Sequence, residues 1–248
     1  MYKTTAYLMT NLSNLHAGSG NTNYGIVDRQ IQRDSATELP VVHASSLKGA
    51  VRDHMECNLK AMNQDRPGTL SNQGHFKLRA IFGKEIGPGD GSKNADEKED
   101  SRFANLPEEG LVRFHEARAL FIPMRSDKRP FYHVTSLQTL ADAREWLELM
   151  GIDELPPMLE TDPINESQNL VYDKNDAYVE DILCKKADEN DTIKALKSYY
   201  RIENLAILNE KDLPGSLKAF PSSRAIDSIT AKVSISGTRR YFHAVLFY

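Results

Sequence analysis

The feature that most constrains the fold is an apolar repeat that starts after two serines, Ser45 and Ser46. Its apolar positions recur at steps of three and four, and they are Leu47, Ala50, Val51, Met55, Leu59 and Met62. This spacing predicts an amphipathic helix over residues 45–63, with the serines as N-caps. Lys48 and Arg52 are one turn apart in such a helix and therefore share a face.

The start of the predicted helix suits a phosphodiester backbone. The first turn of a helix offers unpaired backbone N–H groups and about half a positive charge, and both attract an anion. Gly49 follows directly and has no side chain that would keep a phosphate away. The alternative interpretation of these residues is an ordinary capped helix with solvated cations.

A glycine-rich turn upstream is a second element that suits phosphate. Gly18, Gly20 and Gly25 bracket a run of Ser and Asn residues. Such a run adopts positive φ readily and turns amides toward an anion. The turn does not match the P-loop, because no Gly-Lys-Ser/Thr follows, and it lacks the spaced glycines of the dinucleotide fingerprint. Taken alone it is a weak signal.

A polar segment, residues 25–33, leads from this turn toward the helix. As a strand it would carry polar residues on both faces, so we expect a loop or an edge segment with a polar partner. Its acidic residue is Asp28. Asp28 either forms an ordinary ion pair with Arg29 or Arg33, or it takes part in chemistry on a nucleic acid.

The composition is that of an ordinary soluble protein, since 40% of the 248 residues are hydrophobic and 27% are charged. No run approaches the roughly 18 apolar residues of a membrane span, and the N-terminus lacks a secretory layout. We therefore expect a cytoplasmic protein without a membrane partner. Cys57 and Cys184 are isolated from each other and from histidines, so we expect two free thiols rather than a disulfide or a zinc site.

The net charge of −4 is unevenly distributed. Residues 89–110 carry seven acids and three bases, and residues 158–193 carry ten acids and three bases. These stretches contribute −4 and −7, which leaves +7 for the rest of the chain. A basic surface for a nucleic acid is therefore available despite the acidic total.

Periodicity predicts a mixture of helices and strands. Helices are expected at 45–63, 137–150 and 191–201, and strands at 3–12, 111–123, 131–136, 205–208 and 244–248. Residues 76–82 are either helical or extended, and residues 170–183 suit a hairpin or an extended arm. The strand, loop and helix at the start are the order in which a ferredoxin-like α+β unit begins.

Three motifs in the first fifty-two residues identify a family. LHAGSG (15–20), VDRQIQRD (27–34) and LPVVHASSLKGAVR (39–52) resemble, in order and spacing, the N-terminal signature of the RAMP superfamily. The likeness is to the repeated backbone subunit of type III CRISPR effector complexes in the Cmr branch, with the Csm branch as the nearest alternative. Residues 114–126 and 132–136 are similar to the central segment of the same family.

The resemblance implies an α+β fold with a ferredoxin-like (RRM-like) core, inserted loops and a thumb hairpin. It implies a single backbone-subunit domain over residues 1–248, with a mobile acidic insertion at about 87–102 and a thumb arm at about 158–183. Copies of such a subunit stack along a CRISPR guide RNA together with other type III subunits. The complementary target RNA is cut at regular intervals near each thumb, as part of antiviral defence.

The resemblance assigns the cutting to Asp28. Attack by the neighbouring 2′-OH needs an in-line geometry, which a splayed nucleotide supplies. An Asp with an ordinary pKa near 3.9 is a poor base toward a sugar hydroxyl, so Asp28 is better suited to hold Mg²⁺ or another divalent cation together with phosphates and water. His16, beside the turn, either stabilises charge at the cleaved phosphate or braces the glycine-rich loop.

The same resemblance assigns guide phosphate contacts to Lys48 and Arg52. Backbone or hydroxyl contacts are expected from Ser45, Ser46 and Gly49, and Gly18 and Gly20 shape the adjacent turn.

Two departures from the family and two alternative functions stay open. The chain lacks the C-terminal glycine cluster of many RAMP proteins, and it is shorter than the usual backbone subunit and ends on an apolar VLFY, so we expect C-terminal residues to be missing. One alternative function is a structural guide-binding subunit in which Asp28 is only a salt-bridge partner. The other is a metal-independent enzyme that processes CRISPR precursor RNA with His16 or His43.

Overall fold

The structure, a computed structural model of the chain, describes residues 3–11, 15, 17–18, 31–84, 109–159, 168–213 and 242–247. The chain forms two compact units. The first comprises Met1–Thr5, His43–His115 and Ser236–Ala244, and the second comprises Ala6–Val42, Glu116–Ile235 and Val245–Tyr248. The expectation of one backbone-subunit domain stays a prediction.

Helices and strands alternate irregularly along the chain, which confirms the predicted α+β class. In chain order the elements are β1 (Lys3–Leu8), β2 (Val41–Val42), α1 (Ala44–Ala61), α2 (Asn72–Phe82), β3 (Val112–Arg118), β4 (Ile122–Arg125), β5 (Phe131–Thr135), α3 (Leu137–Leu149), β6 (Leu170–Val171), β7 (Ala177–Val179), β8 (Ile182–Lys186), α4 (Asp191–Tyr200), β9 (Leu205–Ile207) and β10 (Phe242–Phe247). No helix in the described part of the chain is long and apolar enough to cross a membrane.

In the first unit α2 packs against α1. The Ser71 hydroxyl caps α2 by accepting a hydrogen bond from the Gly74 amide at 3.1 Å. A Cβ on Gly74 would lie 3.8 Å from the Leu59 Cβ, which is ordinary van der Waals contact, so Gly74 faces α1. The helix ends at Gly83, whose φ of +85° is readily adopted only by glycine. Residues 76–82, which the sequence predicted to be either helical or extended, therefore belong to the helix α2.

The second unit is built on a six-stranded sheet in the order β4-β5-β9-β6-β8-β7. β5 pairs with β9 and β6 pairs with β8 in parallel, and the other neighbours are antiparallel. The first and last strands meet, because Ser126 bridges Val179 and the Glu180 amide donates to the Arg125 carbonyl at 2.8 Å. The sheet thus curls until its two edges pair, and neither of these edges is left open.

Each face of this sheet buries a separate core, because successive strand residues point to opposite faces. In β9, Ala206 belongs to the core inside the curl, whereas Leu205 and Ile207 face α3 and α4. The inner core also includes Ile122, Met124, Tyr132, Val134, Val171, Val179 and Cys184. The outer core includes Leu140, Ala143, Leu147, Ile193, Leu196 and Tyr200. The helix predicted at 137–150 is confirmed as α3, and it contributes Leu140, Ala143 and Leu147 to this outer core.

One predicted strand, residues 111–123, is wrong as a single element. The chain leaves β3 after Arg118 and starts β4 at Ile122, and these strands belong to different sheets. β3 belongs to a four-stranded sheet with the order β1-β10-β3-β2. Between the strands, Ala119 enters the inner core of the curled sheet and Leu120 enters the outer core. The apolar run therefore reflects a crossover, which periodicity does not distinguish from a continuous buried strand.

The predicted arm at 158–183 is largely part of the curled sheet. β7 and β8 form a hairpin that pairs Tyr178 with Leu183, and β6 lies beside β8. Residues 160–167 lie outside the described residues, as does the predicted acidic insertion at 87–102. The thumb arm at about 158–183 stays a prediction.

A partly buried polar network joins the β4–β5 turn to the segment after β6. The Tyr132 hydroxyl, on a fully buried side chain, donates to Asp173 at 2.7 Å. Arg129 also donates to Asp173 through two nitrogens. The Arg129 guanidinium, followed by the Tyr132 hydroxyl, holds the pKa of the Asp173 carboxyl well below its usual range. Burial, aided by the Asp173 charge, raises the pKa of Tyr132 to about 12.

Gly110 is predicted to be intolerant of any side chain. A Cβ there would lie 2.5 Å from the Phe82 carbonyl carbon, 2.7 Å from the Gly83 nitrogen and closer still to the Ile81 oxygen. These are backbone atoms, which cannot swing aside, so Gly110→Ala should lower the free energy of unfolding by about 1–3 kcal/mol. Gly49→Ala is the control, because its Cβ enters open space on a helix and should stabilise by up to about 1 kcal/mol. Equal stability of the two variants in urea would contradict the close approach.

Asp173→Asn is predicted to cost about 1–3 kcal/mol of unfolding free energy at pH 7, because the ionised partner of Arg129 is lost. The folded pKa is depressed, so this stabilisation is present above the unfolded pKa near 3.9 and is lost as the pH falls below it. Urea unfolding of wild type and variant should therefore converge in acid. Asp188→Asn, at an exposed carboxylate 3.3 Å from Lys186, should change little at any pH. A wild-type advantage that persists in acid would contradict this assignment.

Candidate nucleic-acid interface

Four short stretches of the second unit form one antiparallel hydrogen-bonded ladder. Gly18 bridges Ile31, Arg33 bridges Pro40, and Val41 pairs with Arg118 in β3. The ladder continues beyond β3, because the Ala119 amide donates to the Pro40 carbonyl at 3.2 Å. We call these residues, 17–18, 31–33, 40–42 and 117–119, the site ladder. The site ladder brings the ends of all three N-terminal motifs together.

Gln32 is the central residue of the site ladder. Its amide donates to the Ala17 carbonyl at 2.8 Å, and its carbonyl accepts from the Val41 amide at 3.0 Å. Its side-chain amide donates to the Gly18 carbonyl at 2.9 Å. Gln32 therefore hydrogen-bonds the glycine-rich turn on one side and β2 on the other.

A tight turn closes the ladder between its second and third stretches. The Asp34 carboxylate accepts from the amides of Ala36 and Thr37, each at 2.9 Å. The Thr37 amide is the main reason that the pKa of Asp34 lies below its usual range. The Arg33 guanidinium donates to the Glu38 carbonyl at 2.9 Å across the same turn. This short polar side-chain bonding is typical of turns and fixes the path from the Asp28 segment to β2.

Arg118 braces that turn from β3. Its guanidinium lies 2.7 Å from the Glu116 carboxylate, 3.8 Å from Asp34 and 5.2 Å from the centre of the Trp146 ring. Beside it is a cavity of about 340 Å³ lined by side chains of the turn, of β3 and of α3. Because Glu116 and Asp34 neutralise Arg118, this cavity does not offer a free cation to phosphate.

In the first unit, α1 carries the predicted phosphate contacts. Lys48 and Arg52 lie one turn apart and are half-buried. Among the described residues, Lys48 has no acidic side chain within salt-bridge distance, whereas Lys60 on the same stripe of α1 is paired with Glu56 at 2.7 Å. A Cβ on Gly49 would meet no atom within 4 Å, so the space beside Lys48 is open.

The predicted N-caps of α1 are wrong. The helix starts at Ala44 and its N-cap is His43, which has an extended backbone and makes no side-chain capping hydrogen bond. β2 pairing ends at Val42, so the chain turns into the helix earlier than the serines would place it. Ser45 and Ser46 are instead exposed in the first turn, where no acidic residue lies. The first turn therefore keeps the positive end that a phosphate favours.

The structure describes only part of the predicted site. The first turns of α1 carry five of the predicted residues, which are Lys48, Arg52, Ser45, Ser46 and Gly49. Gly18 lies in the site ladder. Asp28, His16 and Gly20 lie outside the described residues.

Sequence reasoning missed Gln32 and Arg118 as organising residues. A faint signal existed for Gln32, because it shares the strand alternation of Asp28. Arg118 lies within the second resembling block, but nothing in that block indicates its partner Asp34.

The described residues contain no group of three or more His, Cys, Asp or Glu side chains that would hold a metal ion.

Comparison with protein families decides the ancestry. A family description, the RAMP superfamily, matches residues 9–243. The chain belongs to the RAMP superfamily. Within this family it is similar to the CRISPR system Cmr endoribonuclease Cmr4 of Pyrococcus furiosus, with 30% identity over 206 residues. That alignment covers 79% of this chain and 59% of the relative, so the chain spans about three fifths of the relative's length. This likeness supports the predicted Cmr branch of the RAMP proteins.

Solved structures of RAMP proteins show the same fold. The crystal structure of oligomeric Cmr4 from Pyrococcus furiosus matches with a TM-score of 0.53 and 20% identity, covering 85% of this chain and 70% of that one. Another crystal structure of Cmr4 from that organism matches with a TM-score of 0.52 and 20% identity, and the match covers 89% of this chain and 74% of that one. A chain of a type III-B Cmr-beta complex bound to cognate target RNA matches with a TM-score of 0.51 and 17% identity, and the match covers 84% of this chain and 67% of that one.

Proposed function

We propose that this chain is a guide RNA-binding backbone subunit of a type III CRISPR complex and that it cleaves guide-complementary target RNA at regular intervals. Its partners are the CRISPR guide RNA, the target RNA, further copies of itself in a filament and other type III subunits. It works in the cytoplasm, without a membrane, in antiviral defence. The observation that carries the proposal is the site ladder, which joins the three family motifs in one hydrogen-bonded unit.

The guide phosphates bind at the start of α1. Lys48 supplies a cation that no described acid neutralises, and Arg52 supplies a planar group one turn later. Gly49 leaves room for the phosphate between them. Backbone contacts of this type fix the register of a nucleic acid without reading its sequence, which suits a subunit that must accept any guide.

Cleavage is assigned to the segment that contains Asp28. The reaction is attack of a 2′-OH on the adjacent phosphorus, with loss of the 5′ oxygen of the next nucleotide. The protein contributes chiefly by holding the RNA so that the three atoms are in line. Asp28 positions the reacting groups, and His16 stabilises charge at the phosphate. We propose Mg²⁺ or another divalent cation as the partner of Asp28.

Support for the nuclease role comes from the relative named an endoribonuclease, which is 30% identical to this chain. The alternatives differ in what they require. A structural subunit needs the α1 surface but not Asp28, and a metal-independent processing enzyme needs His16 or His43.

Cleavage of guide-complementary RNA by the assembled complex should be lost in Asp28→Ala. The same loss is expected in wild type after addition of a chelator. Assembly and guide binding, measured by gel filtration with labelled guide, should be retained in both cases. The products are resolved by denaturing electrophoresis, and wild type should give regularly spaced fragments.

His16→Ala and His43→Ala serve as matched variants in the same assay. Unchanged cutting by Asp28→Ala would show that Asp28 is not the cleavage residue and that this subunit holds RNA. Chelator-resistant cutting that is lost in either histidine variant would favour the processing enzyme instead.

A further inference from the structure

The cavity beside Arg118 has no role in the proposed binding and cleavage of RNA. Its volume is about 340 Å³, and all of its lining residues belong to the second unit. Pockets that bind small molecules typically start at about 300 Å³, so the cavity has room for a small ligand or a long side chain. We call it the Trp146 cavity, and the lining residues that define it here are Asp34, Leu39, Arg118, Asp142, Trp146 and Glu210.

The charged lining of the Trp146 cavity is acidic. Three carboxylates, those of Asp34, Asp142 and Glu210, and one guanidinium, that of Arg118, line it, which gives a formal net charge of −2. Arg118 and Asp34 lie 3.8 Å apart, and Asp34 also accepts from two amides of its own turn. Among the described residues, neither Asp142 nor Glu210 has a cationic side chain within salt-bridge distance. Two carboxylates therefore remain without a counter-ion.

The start of α3 does not reverse this preference, although it also lines the cavity. The Ser136 hydroxyl caps the helix by accepting from the Thr139 amide at 3.1 Å. The Ser136 side chain is buried, and its hydroxyl also lies 2.9 Å from that of Thr139. The helix end is thus already capped, and the lining favours a cation over an anion such as phosphate.

The rest of the lining suits a cation that is carried on an aliphatic stem. Trp146 is half-buried and supplies an aromatic wall, and the Arg118 guanidinium lies 5.2 Å from the centre of its ring. Indole rings attract ammonium and guanidinium groups through their π-electrons. Leu39 and Pro40 add apolar surface against which the methylene groups of such a ligand can pack.

We infer that the Trp146 cavity binds an organic cation, an ammonium or guanidinium group on a short aliphatic stem, with Asp142 and Glu210 as its counter-ions. A free polyamine has this chemistry, and so does a lysine or arginine side chain of another protein chain. The inference goes beyond the proposed function, because no RNA contact enters it.

The test uses the fluorescence of the full-length protein, because Trp146 is the one tryptophan of the chain. N-acetylargininamide, titrated without RNA, should change the emission saturably with a Kd of about 1–10 mM. N-acetylcitrullinamide is the matched probe, because it has the same shape with a neutral ureido group, and it should bind at least about fivefold more weakly. Saturation-transfer NMR with both probes detects binding that leaves the fluorescence unchanged.

Asp142→Asn and Glu210→Gln remove the two counter-ions separately. Glu210 is exposed and Asp142 is half-buried, so each should contribute as a surface ion pair does. Each substitution should raise the Kd of N-acetylargininamide about two- to fivefold, and the double variant should combine both losses. Glu145→Gln is the control, because Glu145 is an exposed acid of α3 that does not line the cavity. Melting temperatures should stay equal, since each substitution keeps the side-chain shape.

A third probe, spermidine, distinguishes the two sources of the cation. Tighter binding of spermidine than of N-acetylargininamide would assign the cavity to a free polyamine, and the reverse order would assign it to a basic side chain. Equal binding of the arginine and citrulline probes would overturn the inference. The absence of saturable binding by fluorescence and by NMR, or an unchanged Kd in the double variant, would overturn it as well.

Discussion

The backbone pairing of β2 with β3 is the interaction on which the proposed site depends. Val41 and Val42 are buried, and they pair with Arg118 and Ala117 of β3. On one side the chain enters α1 directly after this pair. On the other side the Gln32 carbonyl accepts a hydrogen bond from the Val41 amide. The Gln32 amide donates to the carbonyl of Ala17, next to the glycine-rich turn. A slip of one residue here would turn the side chains of the paired strands to the opposite face.

The curled sheet supplies the rigid frame for this pairing within the second unit. Its edges are joined at Ser126 and Val179, and Tyr132 fixes Asp173 from inside the curl. β3 runs directly into this frame through Ala119 and Leu120, which are buried on its two faces. The polar turn at Asp34 is thus attached to a well-packed core, although the turn itself is exposed. Such support of a polar site by apolar packing is what keeps recognition geometry constant.

The sequence predicted the elements that have strong local patterns. α1, α3 and α4 follow from apolar steps of three and four, and the last two agree within one residue with their predicted bounds. The predicted N-cap of α1 was wrong because the pairing of β2 decides where the chain leaves the sheet. Local helix propensity contains no information about that pairing. The crossover at Ala119 was missed because a continuous apolar run is expected both for one strand buried on its two faces and for a segment that crosses between two sheets. Periodicity does not distinguish these two cases.

The sequence placed the charged residues and glycines of the candidate site on their elements. It did not indicate which side chains of the site hydrogen-bond to one another. Lys48 and Gly49 are placed by helix periodicity alone. Gln32 and Gly18 are 14 residues apart, and nothing in their identities specifies a bond between them. The same is true of Arg118 and Asp34, which meet only because β2 pairs with β3. Family motifs pointed to the stretches that the site ladder joins, but the contacts among them required the fold.

The central claim is that the start of α1 binds RNA phosphates, and the salt dependence of guide RNA affinity tests it most directly. Each phosphate contact on a single strand contributes about 0.7 to the slope of log affinity against log salt. Lys48→Ala should reduce the slope by about that amount. Lys60→Ala, which removes a lysine already paired with Glu56 on the same helix, should leave the slope unchanged. Equal slopes for wild type and Lys48→Ala, or a reduction in Lys60→Ala alone, would contradict the account.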